Sequence, residues 1–137
     1  MIKAVIFDCF GVLINGSFEE IYTRVGGDSK KDKEFLIDLL KNANLGLISP
    51  QEMRTQVASK IGITEEKWQV EIAKIQQPSE KLINFARKLK KDYKIAILSN
   101  ANAGVLERKF APEQLAMFDA VVVSADVNYI KPQAEIF

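Results

Sequence analysis

Asp8, Ser99 and Lys131 are the residues whose type and setting could carry chemistry. Asp8 follows the apolar run Ile2-Lys3-Ala4-Val5-Ile6-Phe7 and precedes Gly11. A carboxylate placed there can attack an electrophile, forming an acyl phosphate or an alkyl ester, or can bind Mg²⁺. The plain alternative is an aspartate that only shapes a turn. Ser99 and Asn100 close a second apolar run. Their hydroxyl and amide suit phosphate or carboxylate oxygens, and equally suit capping of a following helix. Lys131 precedes Pro132, which restrains the local backbone. An ammonium there can neutralise a bound anion and orient a nucleophile, although most single lysines are simply solvated.

Composition narrows the chemistry. The chain has no histidine. That excludes histidine-based zinc sites, Ser-His triads and imidazole acid–base catalysis. Its one cysteine, Cys9, cannot form an internal disulfide. The neighbouring carboxylate of Asp8 would raise a thiol pKa, so Cys9 reads as packed and inert rather than redox-active. Nineteen Lys and Arg against 18 Asp and Glu leave a net charge of +1. Nucleic acid binding then has little electrostatic drive. With 137 residues and 47% apolar content, the chain reads as a single packed domain. No apolar run approaches the ~18 residues of a membrane span. Met1-Ile2-Lys3 leads straight into the first apolar run without signal-peptide features, so the expectation is a cytoplasmic protein.

The elements that must position these residues follow from periodicity and capping. Residues 2–7 read as a buried parallel strand. Ser17, with Glu20 three residues on, starts a helix over 17–24, and Gly26-Gly27 breaks it. Asp28 or Ser29 is expected to cap a helix over 30–42, with Phe35, Leu36, Leu39 and Leu40 on one face. Ser49-Pro50-Gln51-Glu52 is a strong helix start, and that helix should run to about Lys60 and stop at Gly62. Thr64 opens another helix carrying Trp68, Ile72 and Ile75, with Trp68 read as a core residue. Ser79 caps a helix whose apolar side is read as Leu82, Ile83, Phe85, Ala86 and Leu89. Strands follow over Tyr93–Leu98 and Ala120–Val123, with a helix expected over 103–110 between them. Tyr129 to Pro132 reads as a loop, and 133–137 as the start of a helix. Strands alternating with helical stretches imply an α/β fold with a parallel sheet. In such sheets ligands bind beyond the carboxyl ends of the strands, where Asp8, Ser99 and Lys131 all fall.

Taken together, these segments resemble the haloacid dehalogenase-like hydrolase superfamily. The resemblance rests on Val5-Ile6-Phe7-Asp8-Cys9-Phe10-Gly11-Val12-Leu13, on Ile95-Ala96-Ile97-Leu98-Ser99-Asn100, and on Lys131-Pro132-Gln133-Ala134-Glu135-Ile136-Phe137. Phe118-Asp119 followed by Val121-Val122-Val123-Ser124 is also similar to the family's third strand. The resemblance implies a Rossmann-like core, here residues 1–14 and 79–137 with about three strands, and a helical cap inserted at 15–78. It implies Asp8 as nucleophile, Ser99 as ligand of the transferred group and Lys131 as the stabilising cation. Phe10, Gly11 and Asn100 would border the substrate. Mg²⁺ would be held by Asp8, the backbone carbonyl of Phe10 and an acidic fourth motif. The implied activity is a phosphatase acting on a small phosphorylated metabolite through an aspartyl phosphate.

Two departures qualify that expectation. Most family phosphatases carry a second aspartate where this chain has Phe10. Phenylalanine cannot protonate a leaving group, and loss of a general acid–base group costs roughly 10²–10⁴-fold in rate. Halide needs no proton to leave, so a 2-haloacid dehalogenase is an alternative. That reaction also needs an arginine, but Arg24 and Arg54 read as solvated surface residues. The second departure is that no acidic pair follows Val123; Asp126 is read as a turn residue. The expectation is therefore a C-terminally truncated chain with an incomplete metal site, inactive in this form. It would leave the first strand as an exposed sheet edge that could pair with a second copy. A non-catalytic binding module is the remaining alternative. A dinucleotide-binding domain is disfavoured because no G-x-G-x-x-G follows the first strand.

Overall fold

Three short β-branched runs supply the sheet: β1 (Ala4–Phe7), β2 (Lys94–Ser99) and β3 (Ala120–Val123). In the computed structural model, which describes residues 1–137, they form one parallel sheet in the order β1-β2-β3. The register sets Phe7 against Ile97 and Ser99 against Val123. All three strands therefore end on the same side, and Asp8 and Asn100 emerge there. The second strand begins and ends one residue later than expected, so Ser99 belongs to the sheet itself. The fold class is α/β, a three-stranded parallel sheet with flanking helices.

Between β1 and β2 lie α1 (Phe18–Arg24), α2 (Lys33–Asn44), α3 (Pro50–Ile61), α4 (Glu65–Ile75) and α5 (Glu80–Leu89). The expected starts at Ser17, Ser49, Thr64 and Ser79 all accept a hydrogen bond from the third helical residue. At Ser49 the capping box is complete, because Glu52 also accepts from the Ser49 N–H at 2.7 Å. The second helix departs from expectation and begins at Lys33. Asp28 accepts from the N–H groups of Lys30 and Lys31, which makes a turn ahead of the helix instead of capping it.

After β2 come α6 (Val105–Lys109) and α7 (Pro112–Ala116), and after β3 comes α8 (Ser124–Val127). The α6 helix is shorter than the 103–110 expected. Neither α7 nor α8 is foreseen by periodicity, each being too short to show a helical repeat. Asp126 consequently lies in a helix, not in a turn. The last element is a 3₁₀ turn at Ala134–Ile136. No helix is long and apolar enough to cross a membrane.

The apolar interior divides in two. One cluster packs β1, β2 and the turn after β1 against α5 and α6, around Phe7, Leu13, Ile83, Ile95, Ile97 and Leu106. The other lies among α1 to α4, around Ile21, Tyr22, Leu39, Val57 and Trp68. We refer to these as the sheet layer and the helical layer. Phe85 departs from its expected place and is 50% exposed. At ~100° per residue it stands nearly opposite Ile83, which faces the sheet. At the open edge of the sheet Ile6 is 59% exposed, and β1 pairs only with β2.

Candidate active site

The turn after β1 sorts its side chains by alternation. Asp8 is half-exposed, Cys9 is buried in the sheet layer, and Phe10 borders a cavity. The Cys9 carbonyl accepts from the N–H groups of Val12 and Ile14, while Gly11 N–H donates to the Ile14 carbonyl. Gly11 adopts φ +80°, a left-handed conformation that side chains resist. The turn is thereby closed, with Asp8 pointing beyond the sheet. Burial first, and the Asp8 charge second, push the Cys9 thiol up to about 12. Cys9 is packed in the core as expected, and burial outweighs the neighbouring carboxylate in disfavouring its thiolate.

Lys131 reaches this carboxylate across the whole chain. Its Nζ donates to Asp8 Oδ1 at 2.7 Å and to the Leu98 carbonyl at 2.9 Å. Asn100 holds the lysine backbone from both sides. Its Oδ1 accepts from Lys131 N–H at 2.7 Å, and its Nδ2 donates to the Lys131 carbonyl at 3.2 Å. A cis peptide joins Lys131 to Pro132. Both ends of the Asn100 amide are therefore spent on positioning Lys131. The Ser99 hydroxyl is buried and has no hydrogen-bond partner. An unpaired buried hydroxyl is uncommon, and this one has the buried Cys9 thiol beside it.

Ser124 ties the two layers together beside the site. Its hydroxyl accepts from Ala101 N–H at 3.0 Å and lies 2.5 Å from the Asn44 carbonyl, to which it donates. Asn128 Nδ2 donates to the Leu45 carbonyl at 2.9 Å. Through these bonds the ends of β2 and β3 meet the end of α2.

A cavity of about 450 Å³ opens between the layers. From the sheet layer it is lined by Phe10, Asn100, Ala101, Asn102, Val105, Arg108 and Lys109. From the helical layer come aromatic and aliphatic residues including Phe18, Met53, Trp68 and Ile72, together with Arg54. Arg54 is therefore not a solvated surface residue; its Nε is buried, 3.7 Å from Glu65. Arg24 is exposed and pairs with Glu71 at 3.5 Å, as a surface arginine would. The sequence reading passed over Arg108 and Lys109. The available signal was two adjacent cations just beyond the second strand, on the side where ligands bind. Burial, then the Arg108 charge, holds the Lys109 ammonium below its usual range.

The magnesium expected from the resemblance can be tested against the donors present. Asp8 has one carboxylate oxygen not bonded to Lys131, and the Phe10 carbonyl accepts no hydrogen bond from the chain. No group of three or more Asp, Glu, Cys or His residues comes together anywhere in the fold. Two oxygens do not make up a magnesium centre, which needs about six ligands. These residues alone do not complete the site.

The chain's relatives have the same architecture. A family model described as haloacid dehalogenase-like hydrolase matches residues 2–137. A D-ribitol-5-phosphate phosphatase from Bacteroides thetaiotaomicron is 24% identical, over all of this chain and 74% of its own length. A HAD-like family hydrolase from Porphyromonas gingivalis superposes with a TM-score of 0.73 at 29% identity, covering 100% of this chain and 73% of that one. A HAD family enzyme from B. thetaiotaomicron, solved with magnesium and inorganic phosphate, superposes with a TM-score of 0.73 at 24% identity, covering 99% of this chain and 75% of that one. With a family match over nearly its full length and the fold in agreement, the chain belongs to the haloacid dehalogenase-like hydrolases.

Proposed function

We propose that this hydrolase is a phosphatase acting on a small phosphorylated metabolite, with Asp8 as the nucleophile. The observation that carries the reading is the 2.7 Å pair between Lys131 Nζ and a half-exposed Asp8 at the carboxyl end of the sheet. The free Asp8 oxygen attacks phosphorus and the bond to the leaving oxygen breaks. Water then attacks the aspartyl phosphate, releasing inorganic phosphate and restoring Asp8. Lys131 orients the carboxylate and offsets charge that builds up on the phosphoryl oxygens. Ser99, the last residue of β2, is the ligand of the transferred group. Phe10 and Gly11 border the substrate, and residues 15–78 act as a cap over it. Magnesium, present in solved relatives, would take Asp8 and the Phe10 carbonyl as two of its ligands, with a further carboxylate from outside these residues.

No side chain at position 10 can protonate the leaving oxygen, so that proton comes from water. Turnover should be slower by roughly 10²–10⁴-fold for unactivated alcohols, and least affected for good leaving groups such as acyl phosphates. The same Phe10 favours a second reading, hydrolysis of 2-haloacids, because halide leaves without a proton. Phosphatase activity is preferred because the named relative acts on a polyol phosphate. The test is phosphate release and halide release by the full-length protein with magnesium, alongside Asp8→Asn. Phosphate release that disappears in the variant is the expected result. Halide release alone would reverse the preference, and no turnover of either kind would leave a binding module. We also propose that the open β1 edge pairs with another copy where nothing else covers it. A purely monomeric species in sedimentation, with β1 amides protected from exchange, would exclude this.

A further inference from the structure

The cavity bordered by Phe10 and Asn100, which Asp8, Ser99 and Lys131 do not line, has an asymmetric charge. Arg54, Arg108 and Lys109 line it, and no carboxylate does. Arg54 is offset by Glu65 at 3.7 Å. Arg108 and Lys109 have no carboxylate within 4.0 Å; their only hydrogen bonds go to the carbonyls of Ala103 and Gln76, each at 3.3 Å. Lys109 is partly buried and Arg108 is exposed beside it, and with no counter-charge near either, this stretch of the wall favours a bound anion. Both are carried by α6 and lie on the cavity wall, whereas Lys131 already holds the Asp8 carboxylate. The rest of the wall is mainly apolar, with a minority of amides among it. The side chains of Asn44, Gln69 and Gln76 make no hydrogen bond within the chain and can meet hydroxyl groups.

We infer that the substrate is a phosphorylated compound bearing a second anionic group, and that Arg108 and Lys109 bind this second group. The inference rests on the phosphatase reading for the reacting end only. The cavity volume of about 450 Å³ lies within the range of roughly 300–1,000 Å³ that small-molecule sites occupy. Arg108 and Lys109 would then be specificity residues, distinct from the residues that touch the transferred phosphoryl group.

The experiment measures binding, so that it does not depend on turnover. Calorimetry on the full-length Asp8→Asn protein compares aldonic acid phosphates with alditol phosphates of equal length, at three, four and five carbons. Each pair differs only in a carboxylate against a hydroxymethyl group at the far end. For at least one length the acid should bind about tenfold tighter or more, as charge-assisted hydrogen bonds allow. Raising the salt concentration should weaken that preference. The double variant Arg108→Gln and Lys109→Gln, its fold checked by thermal melting, should abolish the preference and leave alditol phosphate binding in place. Equal affinity at every length, a preference that survives the double substitution, or no binding of either series would each overturn the inference. A preserved preference in a protein that hydrolyses none of these compounds would instead sink the phosphatase reading.

Discussion

In the helical layer three of the four helices are started by their own neighbour in sequence. Ser17, Ser49 and Thr64 accept from an N–H three residues further on, and the stacked interior of Phe18, Tyr22 and Trp68 fills in behind them. The Tyr22 hydroxyl of that interior donates to Asp32 at 2.7 Å, and Lys60 lies 3.2 Å from the same carboxylate. In the sheet layer the fixing bonds span the chain. Asp119 accepts from Ile95 N–H across 24 positions, Asn100 grips Lys131 across 31, and Lys131 meets Asp8 across 123. The reacting groups belong to this second kind of structure. Local bonds make helices; only long-range bonds bring a carboxylate and an ammonium from opposite ends of the chain to 2.7 Å.

Substitutions can break or sharpen that contrast. The largest effect is expected for Asp8→Asn, which should reduce turnover by about 10⁴-fold or more, as removal of a nucleophile does. Because Asp8 is half-exposed, urea unfolding should be nearly unchanged. A comparable loss of stability would mean that the site also holds the fold together. Next comes Trp68→Ala, which empties the centre of the helical cluster and should destabilise by about 3–5 kcal/mol. Hydrogen exchange should then rise in α1 to α4 while β2 amides stay protected. Equal loss of protection in both would show that the layers unfold as one unit.

Asn100→Ala should cost about 1–3 kcal/mol, because the Lys131 N–H and carbonyl lose their partners. Turnover should fall with it, since Lys131 loses its fixed position. Undiminished turnover would show that the Asp8 contact alone holds the lysine. Ser49→Ala removes one arm of a capping box and should cost about 1 kcal/mol, seen as a lower Tm with turnover unaffected. The smallest effect is expected for Asp119→Asn, and it should depend on pH. The hydrogen bond from Ile95 N–H, then the nearby Lys94 and Lys90, hold the Asp119 carboxyl below its usual range. A depressed folded pKa adds stability above the unfolded value of about 3.9, and this is lost as pH falls through the folded pKa. Asparagine keeps an acceptor but not the charge. The difference between wild type and variant should be present at neutral pH and fade in acid. A difference that does not change with pH would assign the effect to packing.

Much of the architecture was legible because it is written locally. A serine or threonine followed by a helical repeat marks a helix start wherever the rest of the chain lies, and four such starts stand where capping predicts. The exception was Asp28, five residues before Lys33, whose carboxylate serves a turn ahead of the helix proper. Phe85 shows a related limit. Its apolar character suggested burial, but the sheet meets α5 along Ile83 and Ala86, and Phe85 is turned away. Periodicity assigns a residue to a position round its helix; it does not say which neighbouring element arrives there.

The sequence by itself determined the order of the three strands and of all the helices but α7 and α8, the positions of Asp8, Ser99 and Lys131 at or beyond the carboxyl ends of strands, and the exclusion of imidazole chemistry. These depend on residue type and on spacing within short windows. Tertiary structure alone decided that both ends of the Asn100 amide hold Lys131, that the Ser99 hydroxyl is buried without a partner, and that Ser124 joins the layers. It also decided that Arg54, Arg108 and Lys109 line one cavity. The physical reason is that a side chain's partner, burial and charge environment are set by elements distant in sequence. No local pattern encodes which of them it will face once the layers close.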